Sequence, residues 1–248
     1  MHLPGYSGIL VIDKPQGWTS HDVVAHVKRK LKAKKVGHLG TLDPLATGVL
    51  VLVLDSATKH AANLGAGVKE YAAVCRLGEA RDTYDSEGKR TKAGDLTGLT
   101  REDILKALDG FRGRIKQVPP MYSAIKSNGQ PLYKLARKGI TIEREAREIE
   151  IFEIEALNIE LPGVHFRVLS SGGTYVRSIC HDLGEKLGCG GHLTELRRTR
   201  SGAFRIEEAA GPGLEAAELT ERIIPLEEAL KRVSVDGGGP GSPGVVKA

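Results

Sequence analysis

The chain has 248 residues, 40% hydrophobic and 27% charged, enough to bury a sizeable core as one large domain or two smaller ones, and ordinary for a soluble globular protein. No apolar run reaches roughly 18 residues, which excludes a membrane-spanning helix. The N-terminal MHLPGYSGILVIDKP has neither the basic start nor the cleavage site of a secretory signal, so a cytoplasmic location is expected.

In chain order, GILVIDKP (residues 8–15) reads as a short buried strand closed by a Lys-Pro turn. A helix follows, with Thr19 or Ser20 as cap, Asp22 near its positive end, and Val23, Val24, Val27 and Leu31 at helical spacing. Residues 37–48 (GHLGTLDPLATG) read as a Gly-rich loop leading directly into VLVLVL (49–54), a strand buried on both faces. Tyr71–Arg76 reads as a further strand, and Thr100 caps a helix over 100–108. Residues 147–160 alternate apolar and charged, with a phase slip near Phe152 that predicts a bulge. Leu161, Pro162 and Gly163 then turn the chain into VHFRVLS, completing a hairpin over 147–170. A helix is predicted over 176–187, stopped by Gly188. The final VDGGGPGSPGVVKA holds five Gly and two Pro and predicts a disordered tail. Strands, hairpins and intervening helices together predict a mixed α+β fold around a largely antiparallel central sheet.

Net charge is +5, and its distribution says more than its size. Residues 28–35 (KRKLKAKK) hold six basic residues of eight, residues 112–138 hold seven and no acid, and Arg197, Arg198 and Arg200 form a third cluster. Each cluster alone could be a solvated face; three in one chain favour a nucleic-acid partner. The three cysteines, Cys75, Cys180 and Cys189, do not make a disulfide framework. Cys189 and His192 have ligand-like spacing but no second pair, so no metal site is expected. No P-loop and no carboxylate cluster suited to magnesium is present.

Asp43 stands between Leu42 and Pro44 in the Gly-rich loop. Read locally, it is either a turn or capping residue, since Asp-Pro is a common turn dipeptide, or a reactive carboxylate on a loop anchored to a core strand. The surrounding stretches favour the second. GILVIDKPQGWTSHDVV, VGHLGTLDPLATGVLVL, KEYAAVCRLGEARDTYDSEG, FRGRIKQVPPMYSAIKSNGQPLYKLARKG and SSGGTYVRSICHDLGEKLGCGGHLTELRRTRSG closely resemble, in order, the motifs of the bacterial tRNA pseudouridine synthase B (TruB) family. The resemblance covers about residues 8–230.

The resemblance implies a pseudouridine synthase fold and isomerisation of uridine 55 in the TΨC arm of tRNA, with no cofactor. It aligns Asp43 with the catalytic aspartate and Arg177 with the arginine paired to it. A carboxylate buried under a base needs such a cation to stay ionised. Tyr71 aligns with the tyrosine that stacks on the target base, Tyr175 and Leu196 with residues of the uridine pocket, and His38 with a histidine implicated in extruding the nucleotide. The segment about 112–140 aligns with an RNA-gripping insertion, so Lys126, Lys134, Arg137 and Lys138 are expected on phosphates, and Asn128, Gly129 and Pro131 in a mobile turn that orders on RNA. The implied organisation is a catalytic domain over 1–232, a tail over 233–248 and no C-terminal RNA-binding (PUA-like) domain. The implied partner is tRNA alone, met by a monomer without guide RNA, obligatory protein partner or membrane. Leu39, Ala72 and Gln130-Pro131 depart from the family's usual residues. A non-catalytic RNA-binding protein, a guide-RNA-dependent synthase and a glycosidase are the competing readings; the last lacks a second acid as proton donor.

Overall fold

The computed structural model describes residues 7–127 and 129–236. They adopt a mixed α+β fold with a large, mostly antiparallel sheet, as the alternation of strands, helices and hairpin predicts. Two compact units emerge: the described residues up to Tyr71 together with those from Leu196 on, and Ala72–Glu195. Among the described residues no helix is long and apolar enough to cross a membrane.

The chain runs β1 (Gly8–Lys14), α1 (Ser20–Leu31), β2 (Val36–His38), β3 (Thr47–Leu54), α2 (Ala61–Leu64) and β4 (Lys69–Leu77). It continues through β5 (Glu79–Arg81), β6 (Arg90–Ala93), α3 (Arg101–Asp109), β7 (Gly113–Gln117), β8 (Lys126–Ser127), β9 (Gln130–Pro131) and α4 (Leu132–Ala136). It ends with β10 (Arg147–Glu160), β11 (Gly163–Ser170), α5 (Val176–Lys186), β12 (Gly191–Ser201), β13 (Phe204–Arg205), α6 (Ala216–Glu221), β14 (Ile224–Pro225) and α7 (Leu226–Asp236).

In the first unit β1 and β3 pair antiparallel from Gly8 opposite Leu54 to Lys14 opposite Gly48. β14 flanks β1, while β3 also takes β2 antiparallel and β12 in parallel, Arg198 opposite Gly48. Ile9, Val11, Val49, Val51 and Val53 pack to one side with Leu39, Leu64, Phe204 and Ala229. Leu10, Ile12, Leu50, Leu52 and Leu54 face the other way and are equally sealed. Burial of both faces explains the unbroken apolar runs in the sequence, and each sealed aliphatic side chain contributes about 1.5–3 kcal/mol. α1 starts at a capping box: the Asp22 N–H donates to Thr19 Oγ1 (3.0 Å) and the Thr19 N–H to Asp22 Oδ2 (2.8 Å). Val23, Val24, Val27 and Leu31 form its buried face. The loop expected from residue 37 is shorter than predicted, because residues 36–38 pair with the free edge of β3 as β2. The start of the expected tail is also ordered: α7 carries residues 233–236, with Val233 against the core. The remainder of that tail, 237–248, lies outside the described residues.

In the second unit the strand order is β4-β11-β10-β7. The β10–β11 register slips between Ile151 and Glu153, the bulge expected at Phe152. Its cause is visible in the burial: Ile149 and Ile151 are buried, and so is Ile154, and only one extra residue keeps an odd and an even position on the same face. α3 begins at a second capping box, Thr100 with Asp103. β8 and β9 form a small hairpin with Gly129 at φ 78°, where a turn is predicted; residue 128 lies outside the described residues. α5 buries Ile179, Cys180 and Leu183 and is followed by Gly188 at φ 74°, the stop read from the sequence.

Gly184 of α5 lies so close to the 190–191 backbone that an added Cβ would sit 2.0 Å from the Gly191 nitrogen. Gly184→Ala should therefore lower unfolding free energy by about 1–3 kcal/mol, read from urea denaturation; an unchanged midpoint would show that the α5–β12 turn gives way freely.

Candidate active site

Asp43 sits on the loop that joins β2 to β3, and the loop is rigid for reasons its sequence states only in part. Leu39, Leu42, Leu45 and Ala46 turn inward and are buried, which leaves Thr41 exposed and Asp43 partly exposed. The Ala46 N–H closes a turn onto the Asp43 carbonyl (3.1 Å), and the Gly17 N–H donates to the Pro44 carbonyl (2.8 Å). Ser20, the first residue of α1, receives the Leu42 N–H at its Oγ (2.9 Å) and donates to the Leu42 carbonyl (3.1 Å).

Two buried cations complete the frame. Lys14 is 0% exposed, and its Nζ donates to the carbonyls of Trp18 (2.6 Å), Pro15 (2.9 Å) and Pro44 (3.3 Å). An ammonium taken out of water must be compensated in this way, and the result is a fixed positive charge beside the Asp43 turn. Arg198 is 2% exposed and donates from Nε to the Val49 carbonyl (2.7 Å) and from Nη2 to the Gly40 carbonyl (3.1 Å). It thus ties the head of the loop to β3. Gly48 makes room for it: at φ 97°, an added Cβ would stand 2.2 Å from the Arg198 carbonyl oxygen.

This corrects the reading of the third basic cluster as a nucleic-acid face. Arg198 is internal, Arg197 grips Asp13 with both terminal nitrogens (2.8 and 3.1 Å), and Arg200 pairs with Asp236 and donates to the Gly202 carbonyl. Apart from Gly202, their partners lie far away in sequence, so a local count of charges could not reveal them.

Three other predicted residues belong to the same unit. His38 ends β2 rather than lying in a loop; burial first, then Arg198 and His21, lower its pKa, and its Nδ1 is buried without a hydrogen-bond partner. Tyr71 on β4 and Leu196 on β12 are both buried. Lys69, two residues before Tyr71, was not singled out from the sequence. Its ammonium donates to the Gly65 carbonyl (3.1 Å), and burial together with Arg198 pushes its pKa down to about 8.

In the second unit Arg177 projects from the first turn of α5 and is 4% exposed. Its Nη1 lies 3.3 Å from Asp85 Oδ2 and donates to the Thr83 carbonyl (3.1 Å), and its Nη2 donates to the Tyr122 carbonyl (2.8 Å). Asp85 is held in turn by Thr83 Oγ1 (2.6 Å) and the Glu87 N–H (3.1 Å). The sequence reading missed Asp85: within RDTYDSEG it looks like any turn former, and only its burial opposite a guanidinium distinguishes it. Tyr84 holds φ 65° and stacks on His181 of α5, ring centroids 3.8 Å apart. Tyr175 precedes α5, with its N–H donating to Gln117 Oε1 (2.8 Å) and its carbonyl accepting from Gln117 Nε2 (3.1 Å).

Of the basic segment, Lys134, Arg137 and Lys138 are exposed, with Arg137 5.5 Å from the centre of the Tyr133 ring. Lys126 lies on β8, and its side chain is outside the described set. Arg112 and Arg114 of the same segment face Asp109 and Glu150. His192 is buried and bonds the Glu79 carbonyl through Nδ1 (2.9 Å). Among the described residues no group of three His, Cys, Asp or Glu is placed to hold a metal.

Two stability measurements test this frame. Asp85→Ala strips a buried guanidinium of a counter-charge and should cost about 3 kcal/mol or more in chemical denaturation; a cost near zero would mean the backbone carbonyls alone hold Arg177. Asp182, also on α5, is raised to about 6 by burial, with Lys186 pulling the other way. Its ionisation therefore weakens the fold progressively as pH rises from 3.8 to about 6. Asp182→Asn should raise Tm at pH 8 and leave it unchanged below the ordinary aspartate value; an equal gain at both would refute the electrostatic cause.

Comparison with known proteins matches residues 28–176 to the family described as TruB family pseudouridylate synthase (N terminal domain) and residues 177–231 to the tRNA pseudouridylate synthase B C-terminal domain. The tRNA pseudouridine synthase B of Clostridium tetani is 47% identical over 234 residues, 93% of this chain and 81% of that protein. That of Geobacter sulfurreducens is 51% identical over 228 residues, 90% of this chain and 75% of that protein. Among solved structures, a chain in a crystal structure of a Cbf5–Nop10–Gar1 complex superposes with a TM-score of 0.71 at 34% identity. The match covers 92% of this chain and 62% of that one.

Proposed function

The chain belongs to the TruB family of pseudouridylate synthases, and from that premise we propose that it isomerises uridine 55 in the TΨC loop of tRNA to pseudouridine, using Asp43 and no cofactor. The reaction breaks the N-glycosidic bond, turns the uracil and rejoins it to the ribose through carbon. Substrate and product have the same atoms and the same oxidation level, so the protein's task is to extrude the base, hold it out of water and supply one ionised carboxylate.

The observation that carries the reading is the anchoring of Asp43. Its turn is bonded to Gly17, Ser20 and Lys14, and Arg198 secures the start of the same loop. A turn that served only to reverse the chain would not need two buried cations; a reacting group that must stay in register with a bound sugar does. In this proposal Asp43 attacks the sugar or the base, or removes a ribose proton, and Arg177 keeps it deprotonated. Arg177 suits that role because it is itself oriented by Asp85. Tyr71 stacks on the uracil and serves in proton transfer, and Tyr175 and Leu196 line the pocket. His38, whose pKa is lowered first by burial, occupies the space vacated by the base. Lys126, Lys134, Arg137 and Lys138 meet phosphates.

Identity of 47% and 51% to bacterial tRNA pseudouridine synthases B, against 34% to the chain of the Cbf5 complex, supports tRNA as substrate without guide RNA or protein partner. The enzyme then works as a cytoplasmic monomer. The test is purified full-length chain with unmodified tRNA transcript, followed by mapping of pseudouridine. Product at position 55 is expected. Asp43→Asn should lower the rate by a factor of about 10⁴ or more, as loss of a group that acts in the chemical step does, while retaining tRNA. Modification that survives the substitution, falls elsewhere or requires added guide RNA would refute the corresponding part of the reading.

A further inference from the structure

The N-terminal end of α1 is bolted to the Asp43 loop. Lys14 Nζ donates to both the Trp18 and the Pro44 carbonyls, and Ser20 Oγ clasps Leu42. From this junction an open groove of about 240 Å³ runs along α1, lined by Trp18, Asp22, Ala25, His26 and Arg29. Trp18 is only partly buried. Its indole meets the His26 ring edge-on at 5.3 Å and 67°, and His26 is fixed in turn by donating from Nε2 to the Pro212 carbonyl (3.0 Å). The small side chain of Ala25 leaves the groove open between the indole and Arg29.

Charge decides what such a groove accepts. Arg29 lines the groove, and its sequence neighbours Lys28, Lys32, Lys34 and Lys35 are exposed, the part of the first basic cluster that the fold leaves facing water. Lys30 is used internally, on the Gly213 and Leu214 carbonyls. The acid in the lining, Asp22, has one carboxylate oxygen engaged by the Thr19 N–H and hydroxyl (2.8 and 2.7 Å). A propped indole followed by a row of cations is the combination single-stranded nucleic acid requires: a flat surface for a base and positive charge for its phosphates. An apolar protein segment would find one ring and a charged wall.

We propose that this groove, which the family resemblance does not assign to RNA, binds the nucleotides flanking the target uridine, with a neighbouring base on the Trp18 indole and the adjoining phosphates on Arg29, Lys28 and Lys32. The proposal rests on the reading of the chain as a tRNA-modifying enzyme. It gives α1 a second role, since the element that buttresses the catalytic loop also sets the path of the RNA leading to it.

Trp18 is the single tryptophan of the chain, so its emission reports this groove alone. In the full-length protein, unmodified tRNA at concentrations that saturate filter retention should shield Trp18 from acrylamide. Trp18→Ala and Arg29→Ala should each raise KM about tenfold, with a much smaller loss in kcat. Trp18→Phe, which keeps a ring and the fold, should recover much of the binding. The proposal is overturned if bound tRNA leaves the quenching unchanged, if all three variants keep the native KM, or if shielding grows with protein concentration without RNA, which would mark a self-association face. The outcomes separate the two readings. Pseudouridine formed while Trp18 stays open refutes the groove and spares the reaction; Trp18 shielded by tRNA with no pseudouridine formed refutes the reaction and spares the groove.

Discussion

A buried ammonium shared between the turn after β1 and the Asp43 loop is the constraint from which the rest of the first unit follows. Lys14 lies at the end of β1, opposite Gly48 in β3, where a lysine without partners would cost several kcal/mol. Its three carbonyls come from the turn after β1 and from Pro44. The desolvated charge is therefore stable only when the Asp43 loop and the start of α1 are both in place. Arg198 repeats the arrangement from β12, with carbonyls of Gly40 and Val49. The loop is fixed less by its own turn residues than by two cations reaching it from distant strands.

The second unit solves a different problem with similar means. A guanidinium taken out of water needs acceptors for its donors. The planar donors of Arg177 meet one carboxylate and two carbonyls, in a fixed fork that holds the side chain in one orientation. Asp85 keeps its own orientation through Thr83 and Glu87, and the stack of Tyr84 on His181 ties the strained turn to the helix that bears Arg177.

The three basic clusters of the sequence have three fates. The cluster at 28–35 faces water along α1, apart from Lys30. The segment 112–138 includes arginines matched with acids, Arg112 and Arg114, and the exposed Lys116, Lys134, Arg137 and Lys138. The cluster at 197–200 is engaged by partners within the fold, Arg198 buried and Arg197 and Arg200 partly so. Coulombic compensation depends on separation in space, so residues alike in a sequence count become solvated, paired or buried according to what the chain brings beside them.

The sequence alone determined whatever depends on near neighbours. Helix starts at Thr19 or Ser20 and at Thr100, the stop at Gly188, the doubly buried strand at 49–54 and the bulge at Phe152 were legible because capping, periodicity and phase act over a few residues. The family, and Asp43 as its candidate carboxylate, were legible from motifs that are themselves contiguous. Tertiary structure decided the rest: that Lys14 and Arg198 are loop anchors, that Asp85 faces Arg177, that residues 36–38 are drawn into β2, and that residues 233–236 complete α7. Each of these needs at least one partner beyond the reach of a local turn or helix, and no local pattern encodes which carbonyl, carboxylate or strand edge will arrive to satisfy it.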